Sequence, residues 1–185
     1  MKHFILFSIF LVQTFCSIAQ IKEIRALRTE EKITIDGILD ELDWANSSKA
    51  TDFIQQKPTE GLACTFQSEI KILYTDRAIY VGAMLYDANP EEILKQLGDR
   101  DDALNADNFT IYFDTYNKQQ DAFVFGVSAS GVQSDSRLID DTYNAVWKSA
   151  AKIIENGWVV EMEIPYSAIR FPSSSIQTWG VQIER

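Results

Sequence analysis

Residues 157–165 read GWVVEMEIP, with apolar side chains at every second position from Trp158 to Ile164. Such strict alternation over a short segment is typical of a half-buried β-strand. The same kind of segment recurs three times: NFTIYFD (108–114), DAFVFGV (121–127) and WGVQIER (179–185). Because Gly, Asn, Asp and Ser turns separate these segments, the sequence predicts an all-β fold, namely an antiparallel, jelly-roll-like β-sandwich.

Weaker patterns complete this prediction. Further strands are expected at 32–35, 66–74, 78–86, 132–138, 145–149 and 152–155. One or two short helices are also expected. The first is a single turn at 40–44, with Asp40 as N-cap. The second covers about 89–97, where Asn89 caps the helix and Pro90 takes the first helical position.

The first 19 residues are predicted to be a secretory signal peptide. A nine-residue apolar run at 4–12 follows a short basic start and is too short to span a bilayer as a helix. Ser17 and Ala19 provide the small residues that a signal peptidase reads. We therefore expect one exported domain at 20–185, located in the periplasm, in the outer membrane or outside the cell.

The charge balance narrows the possible partners. The chain has 17 basic and 27 acidic residues, with a formal net charge of −10. This charge repels nucleic acid phosphates and anionic lipid headgroups, but it is compatible with neutral sugars and with cations. The last predicted strand, 179–185, runs to the end of the sequence. We therefore expect the domain to be the front part of a longer protein.

An acidic loop at 99–107 is a candidate calcium site. Asp99, Asp102 and Asn105 offer the oxygen ligands that calcium prefers. The loop does not follow the EF-hand pattern, because Leu104 stands where the turn glycine belongs and no glutamate closes the loop. The alternative is an acidic loop that is solvated or paired with an arginine.

The same loop carries candidate sugar-binding residues. Arg100 stands among acids that would hold its guanidinium as a rigid fork of donors, able to bind vicinal sugar hydroxyls. Asp101, Asp107 and Asn108 are the polar groups expected to bind hydroxyls beside it. The alternative for Arg100 is a structural ion pair.

Tryptophans supply the candidate platform for a sugar ring. Trp147 follows a polar stretch at 140–146, so we expect it to be exposed and to stack on a sugar face, together with Tyr143. Trp158 and Trp179 belong to strands and are expected in the core. Stacking and hydroxyl binding together predict a shallow binding site for a glycan or oligosaccharide.

The sequence contains few patterns typical of catalytic sites. The single histidine, His3, lies in the predicted signal, and no hydrolase, metalloprotease or phosphate-loop motif is present. Glu161 and Glu163 point to the same side of one strand. Such a pair can serve glycoside hydrolysis, but it is more often a solvated face. The sequence therefore favours a non-catalytic module over a hydrolase.

Several motifs resemble, in this order, those of carbohydrate-binding module family 9-like domains: IDGILDE (35–41) with Trp44, AIYVG (78–82), DNF (107–109), DT (114–115), GWVVE (157–161) and IPYS (164–167). The resemblance covers nearly all of residues 20–185. It implies a β-sandwich that binds sugars, in a family whose better-known members hold calcium structurally and grip a sugar between two tryptophans. Trp147 aligns loosely with such a platform.

Three segments resemble one branch of that family more closely: RDD (100–102), GVQSD (131–135) and IRFP (169–172). In that branch the domain precedes a long β-rich segment of the Gram-negative outer membrane. The resemblance implies such a C-terminal segment as a partner. An interaction domain that docks onto it, through an apolar strip along 179–185, is therefore the alternative to sugar binding.

Overall fold

A computed structural model of the chain describes residues 22–102, 104–140 and 142–185. The predicted signal at 1–19 lies outside these ranges. None of the helices in the described ranges is long and apolar enough to cross a membrane. The described elements are β1 (Leu27–Arg28), α1 (Leu42–Asn46), β2 (Lys49–Ala50), β3 (Ser68–Tyr74), β4 (Ala78–Tyr86), a 3-10 turn (Pro90–Glu92), β5 (Asn108–Asp114), β6 (Phe123–Ser128), β7 (Gln133–Arg137), β8 (Lys148–Ile154), β9 (Gly157–Pro165) and β10 (Gly180–Glu184).

Six strands form the first sheet, in the order β1-β3-β4-β9-β8, with β2 also paired to β3. All pairs are antiparallel except β1 with β3. The long central pair runs from Ala78 opposite Pro165 to Tyr86 opposite Gly157. A tight hairpin joins β8 to β9, as the Asn156-Gly157 pair favours.

Four strands form the second sheet, in the order β10-β5-β6-β7, and all of its pairs are antiparallel. The alternating apolar side chains of both sheets meet in one core. Val81 and Val160 from the first sheet, and Ile111 and Phe125 from the second, are fully buried in it. The predicted all-β antiparallel sandwich is confirmed.

Residues 33–48, here called the N-terminal cover, lie on the outer face of the first sheet. Trp44 in this cover is fully buried and packs with Leu73. Its ring lies directly over Gly82, because a Cβ at position 82 would lie 3.0 Å from the ring and 2.8 Å from Leu39. Only glycine allows this close approach, so the sequence of β4 is matched to the cover above it.

Two strand predictions differ from the structure. The segments 145–149 and 152–155, expected as separate strands, are replaced by the single strand β8, because the chain pairs with β9 without a break from Lys148 to Ile154. Residues 145–147 precede this strand. Residues 32–35 pair with neither sheet. They run along the cover, where Ile33 is buried against the sheet face.

The helix expected at 89–97 is limited to the 3-10 turn Pro90–Glu92. Beyond it, the Leu94 amide donates to the Asp107 carboxylate (2.9 Å), and the Leu94 carbonyl accepts from the Asp107 amide (2.8 Å). These bonds keep the chain extended beside the start of β5. The pairing with Asp107 therefore overrides the local helix signal.

Candidate functional site

Arg100 extends from the acidic loop onto β7, the edge strand of the second sheet. Its Nη1 donates to Gln133 Oε1 (2.7 Å), and its Nη2 donates to the Ala145 carbonyl (2.8 Å) and to the Asp135 carboxylate. A guanidinium suits this set of acceptors because its donors are fixed in one plane. The structure thus places Arg100 in the ion pair that was the alternative to sugar binding.

Asp135 is the acceptor at the centre of this arrangement, and its side chain is only 1% exposed. Besides Arg100, it accepts hydrogen bonds from the Ala145 amide (2.7 Å) and from the Trp147 indole (3.1 Å). A buried carboxylate is stable only when its oxygens are satisfied in this way. Asp135 therefore ties β7 to the segment that leads into β8.

The expectation of an exposed Trp147 is wrong. Its side chain is 6% exposed, and its ring packs edge-on against Phe125 with centroids 5.2 Å apart. The polar stretch before it is exposed as a loop, but Asp135 accepts the indole N–H and so turns the ring inward. No face of Trp147 is available for a sugar.

Tyr143 also packs inward, so its expected role beside Trp147 lacks an exposed ring. Its hydroxyl donates to the Ala168 carbonyl (2.8 Å), and its ring lies 5.5 Å from that of Phe123. Burial, with a smaller contribution from the charge of Asp135, raises the pKa of Tyr143 to about 12. The tyrosine acts as a packing residue with a satisfied hydroxyl.

The other three candidates lie at the same end of the second sheet as Arg100, where β5 begins, but their polar groups bind the backbone. Asp101 accepts from the Asp135 amide (2.9 Å) and Asp107 from the Leu94 amide (2.9 Å). The side-chain amide of Asn108 donates to the Ala106 carbonyl (2.7 Å). These bonds shape the loops around Arg100.

The calcium candidates lie on the same loop. Among the described residues, no group of three or more His, Cys, Asp or Glu side chains is placed to hold a metal ion. Asp102 accepts from the Leu104 amide (3.3 Å), and the Asp99 carbonyl accepts from the Asp102 amide (3.0 Å). The loop offers no carboxylate cage, and calcium at Asp99, Asp102 and Asn105 stays a prediction.

A shallow depression of about 380 Å³ opens beside Arg100. This volume is at the lower end of the range for small-molecule sites. The residues that shape it are Arg100, Ser130, Gln133 and Ser149 on the polar side and Leu97 and Val132 on the apolar side. We call it the Arg100 depression.

The Arg100 depression offers hydrogen-bond donors. An arginine has five N–H donors, and three of those of Arg100 are directed at Gln133, Ala145 and Asp135. Of the other two, Nε lies 3.9 Å from the Asp101 carboxylate in an ion pair, and the second N–H of Nη1 makes no hydrogen bond to a described residue. The Arg100 side chain is 36% exposed. Ser149 accepts from Gln133 (2.9 Å) and adds a hydroxyl. The surface is suited to a ligand rich in oxygen acceptors.

The apolar side of the depression is aliphatic. Leu97 is 74% exposed and borders it directly. The two most exposed aromatic rings of the described chain, Phe66 and Tyr116, do not line it. The guanidinium of Arg185 also covers the Phe66 ring at 5.2 Å. A sugar in this depression would therefore contact leucine instead of an aromatic platform.

The burial of Glu161 differs from the sequence prediction. Glu161 was expected on a solvated face, but it is fully buried beneath the N-terminal cover. Its Oε2 accepts from the amides of Asp36 (2.9 Å), Gly37 (2.7 Å) and Ile38 (3.3 Å). Its neighbour Glu163 does face outward, where it pairs with Lys148 (2.8 Å). Glu161 therefore anchors the cover to the sheet.

The comparison with protein families agrees with this architecture. The family described as carbohydrate family 9 binding domain-like matches residues 35–184. This chain belongs to that family. The match includes most of the N-terminal cover and nearly all of both sheets, and it confirms the resemblance seen in the sequence motifs. No curated protein matches the chain.

Solved structures of the same family share the fold of this family 9-like domain. A carbohydrate-binding module family 9 from Caldicellulosiruptor kristjanssonii in complex with cellotriose superposes with a TM-score of 0.57 at 20% identity, covering 86% of this chain and 76% of that one. The same kind of module from that organism in complex with glucose gives a TM-score of 0.58 at 19% identity, covering 87% and 78%. At this identity the likeness shows the fold.

Two of the family motifs meet in the family 9-like domain. The motif at 35–41 supplies the amides, and the motif at 157–161 supplies the Glu161 carboxylate that binds them. Trp44, which follows the first motif, is a buried residue of the cover and packs on the first sheet. These motif residues stabilise the sandwich, and they do not line the Arg100 depression.

Proposed function

We propose that this domain binds a carbohydrate without cleaving it, and that the ligand occupies the Arg100 depression. The observation that carries the proposal is the unused Nη1 donor of Arg100 in the same depression as the exposed Leu97. Membership of a carbohydrate-binding family supports it. So does the fold shared with modules that were solved with cellotriose and with glucose.

Binding would combine two kinds of contact. The free Nη1 donor of Arg100 and the hydroxyl of Ser149 would bind the hydroxyl and ring oxygens of a sugar, while Leu97 would pack on its C–H groups. Because the site is shallow and has no aromatic platform, we expect a dissociation constant on the order of 10 μM to 1 mM. Such an affinity suits a module that works beside other binding or catalytic domains.

The strand carboxylates support a non-catalytic function. A glycoside hydrolase needs two carboxyl groups that face the same scissile bond. Glu161 is buried and bound to three amides, while Glu163 is paired with Lys148 on the surface. The two groups therefore do not face a common cleft, which weighs against the hydrolase alternative.

We also propose that the domain acts at the cell envelope. The sequence pattern at 1–19 supports export, to the periplasm, the outer membrane or the extracellular space. The branch-specific segments support a C-terminal outer-membrane partner. A glycan at the envelope is the ligand that fits both expectations.

Docking onto such a partner is the second candidate function. Strand β10 forms one edge of the second sheet, and on this edge Val181 is exposed. Trp179 and Ile183, the other apolar residues of the predicted strip, are partly buried against the core. The exposed strip is thus narrower than expected, but the open strand edge still offers backbone pairing.

Titration of the isotope-labelled chain with glucose and with cellotriose, followed by NMR and calorimetry, tests the binding proposal. We expect shift changes around Leu97, Ser130 and Ser149. The Leu97→Glu variant should lose at least tenfold in affinity. Leu62→Glu, at an exposed leucine outside the depression, is the matched control and should bind like the unchanged chain.

Two outcomes would redirect the assignment. Absence of any shift with both sugars at saturating concentrations would contradict carbohydrate binding at this site and favour the docking function. Shifts that survive Leu97→Glu unchanged would place the sugar elsewhere on the domain. Repeating the titration with calcium, while recording the melting temperature, tests the predicted metal separately.

A further inference from the structure

One side chain, Gln133 on β7, connects the two polar groups that the Arg100 depression offers to a ligand. Its Oε1 accepts from Nη1 of Arg100 (2.7 Å), and its Nε2 donates to Oγ of Ser149 on β8 (2.9 Å). All three side chains line the depression. The carboxamide of Gln133 therefore lies between the guanidinium and the hydroxyl.

The carboxamide of Gln133 is held in one orientation. If it turned over, its Nε2 would face the Arg100 guanidinium, which has donors and no acceptor. The Trp147 carbonyl, which accepts a longer bond from Nε2 (3.4 Å), would then face an oxygen. Arg100 itself is held by the buried Asp135 carboxylate and by the Ala145 carbonyl. The orientation is thus determined from the core outward.

This orientation determines what Ser149 offers to a ligand. A hydroxyl has one donor and two acceptor sites, and Nε2 of Gln133 occupies one of the acceptor sites. The Ser149 hydroxyl donates to no described residue, so its proton is free to point into the depression. Ser149 therefore acts toward a ligand as a donor.

The depression presents two free donors, the hydroxyl of Ser149 and the second Nη1 N–H of Arg100. The two donor atoms are less than about 8 Å apart, because the carboxamide adds only about 2.3 Å between the two hydrogen bonds. A single pyranose ring carries several pairs of oxygen atoms within this range. One sugar ring can therefore accept from both donors at once.

The charges around the guanidinium favour neutral acceptors. Asp135 pairs directly with Nη2 of Arg100, and the Asp101 carboxylate lies 3.9 Å from its Nε. Two carboxylates beside one guanidinium leave an excess of negative charge at this side of the depression. A ligand carboxylate would be repelled by this excess, whereas a hydroxyl or ring oxygen would not.

We propose that Gln133 is the positioning residue of the Arg100 depression, and that the site selects a neutral sugar by two oxygens that accept from Ser149 and Arg100. This inference rests on the carbohydrate binding proposed above and adds to it which atoms of the sugar are recognised. Removing either oxygen from the sugar leaves one donor unpaired and weakens binding. Replacing either oxygen by a carboxylate adds the repulsion from Asp101 and Asp135.

Glucose and its monodeoxy derivatives are the probes for an NMR titration of the full chain. One or two of the deoxy sugars should bind about three- to tenfold more weakly than glucose, as expected for one lost neutral hydrogen bond. Ser149→Ala should abolish the preference for glucose over one of them, and Ser149→Thr, which keeps the hydroxyl, should retain it. Ser136→Ala, at an exposed serine outside the depression, is the control.

Gln133→Glu tests the positioning function. The new carboxylate has two acceptor oxygens, so one still accepts from Arg100 while the other accepts the Ser149 hydroxyl and turns it away from the ligand. The affinity for glucose should fall to that of Ser149→Ala, and combining the two substitutions should lower it no further. If Gln133 only supported the loop, all sugars would weaken equally and the two losses would add.

Glucuronate tests the selection of neutral ligands. It should bind at least about tenfold more weakly than glucose, and Asp101→Asn should narrow this difference. Asparagine keeps an oxygen for the Asp135 amide and tolerates the positive φ of Asp101 (67°). Asp52→Asn is the matched control, because Asp52 has a similar φ (57°) and lies outside the depression.

The outcomes separate this inference from the proposed function. If glucose binds at the depression but every deoxy sugar binds equally well, or Ser149→Ala leaves the pattern unchanged, the function of Gln133 is wrong and carbohydrate binding stands. Glucuronate binding as tight as that of glucose would overturn the selection of neutral sugars. If glucose shifts no resonance of Leu97, Ser130 or Ser149, the site itself is wrong and the inference falls with it.

Discussion

The indole Nε1 of Trp147 donates a hydrogen bond of 3.1 Å to the buried carboxylate of Asp135, the same carboxylate that pairs with Arg100. Hydrogen bonds to a charged acceptor are stronger than those between neutral groups. Asp135 lies on β7 of the second sheet, and Trp147 directly precedes β8 of the first. The two residues thus fasten together neighbouring edges of the sandwich.

Trp147→Phe should therefore lower the free energy of unfolding by about 2–3 kcal/mol, because it removes a donor to a buried charge and leaves a smaller ring. Urea unfolding measures the change. Trp179→Phe is the control, since its indole donates to the exposed Gln177 (3.1 Å) and its loss should be distinctly smaller. Equal losses in the free energy of unfolding for the two variants would show that the hydrogen bond to Asp135 adds no stability beyond that of ring packing.

Arg100 is predicted to stabilise the same carboxylate. Arg100→Ala leaves Asp135 buried with one strong donor fewer and should cost about 2–4 kcal/mol, the upper limit being reduced by the partial exposure of Arg100. Arg28→Ala removes an ion pair whose partners, Glu30 and Asp76, are both exposed, and it should cost measurably less. A larger loss for Arg28→Ala would contradict the structural function of Arg100.

Much of the sandwich was predictable because alternation in a strand reports directly on the two faces of a sheet. The strands predicted at 78–86 and 108–114 coincide with β4 and β5. The extended chain that replaces most of the helix expected at 89–97 was not predictable in the same way. The local helix signal competes with pairing to Asp107, which lies beyond any local window.

The site residues were harder to predict because their partners are distant in sequence. The polarity before Trp147 describes the exposed loop, whereas the direction of the indole depends on Asp135, twelve residues earlier. Glu161 was read as solvated because the other face of its strand is apolar. The segment that buries it contains Gly37, 124 residues earlier. Only the folded chain brings these partners together.

Gly82→Ala should destabilise the domain, because the added methyl group meets Trp44 and Leu39 at 2.8–3.1 Å. Gly82 does not adopt a positive φ, so the effect reports overpacking instead of backbone strain. We expect a loss of about 1–3 kcal/mol, measured by urea unfolding. Gly180→Ala is the control, since its nearest contact is the Asp114 side chain at 3.2 Å. A neutral Gly82→Ala would mean that the cover is loosely packed.

The hydroxyl of Tyr143 should ionise at a higher pH than that of a free tyrosine. Burial raises its pKa to about 12, compared with about 10 for a free tyrosine. Because the folded pKa lies above the unfolded one, the neutral hydroxyl contributes stability that is fully present below pH 10 and is lost as the pH rises toward 12. Tyr143→Phe removes this group and should make the decline in stability between pH 10 and 12 less steep.

Absorbance of the phenolate during an alkaline titration measures this ionisation. The difference between the unchanged chain and Tyr143→Phe should show one group that titrates near pH 12. Tyr112→Phe provides a comparison, because burial and the hydrogen bond to Glu184 also raise the pKa of Tyr112 to about 12. A difference centred near pH 10 for Tyr143 would mean that water reaches its hydroxyl, and that the bond to Ala168 does not hold it in the core.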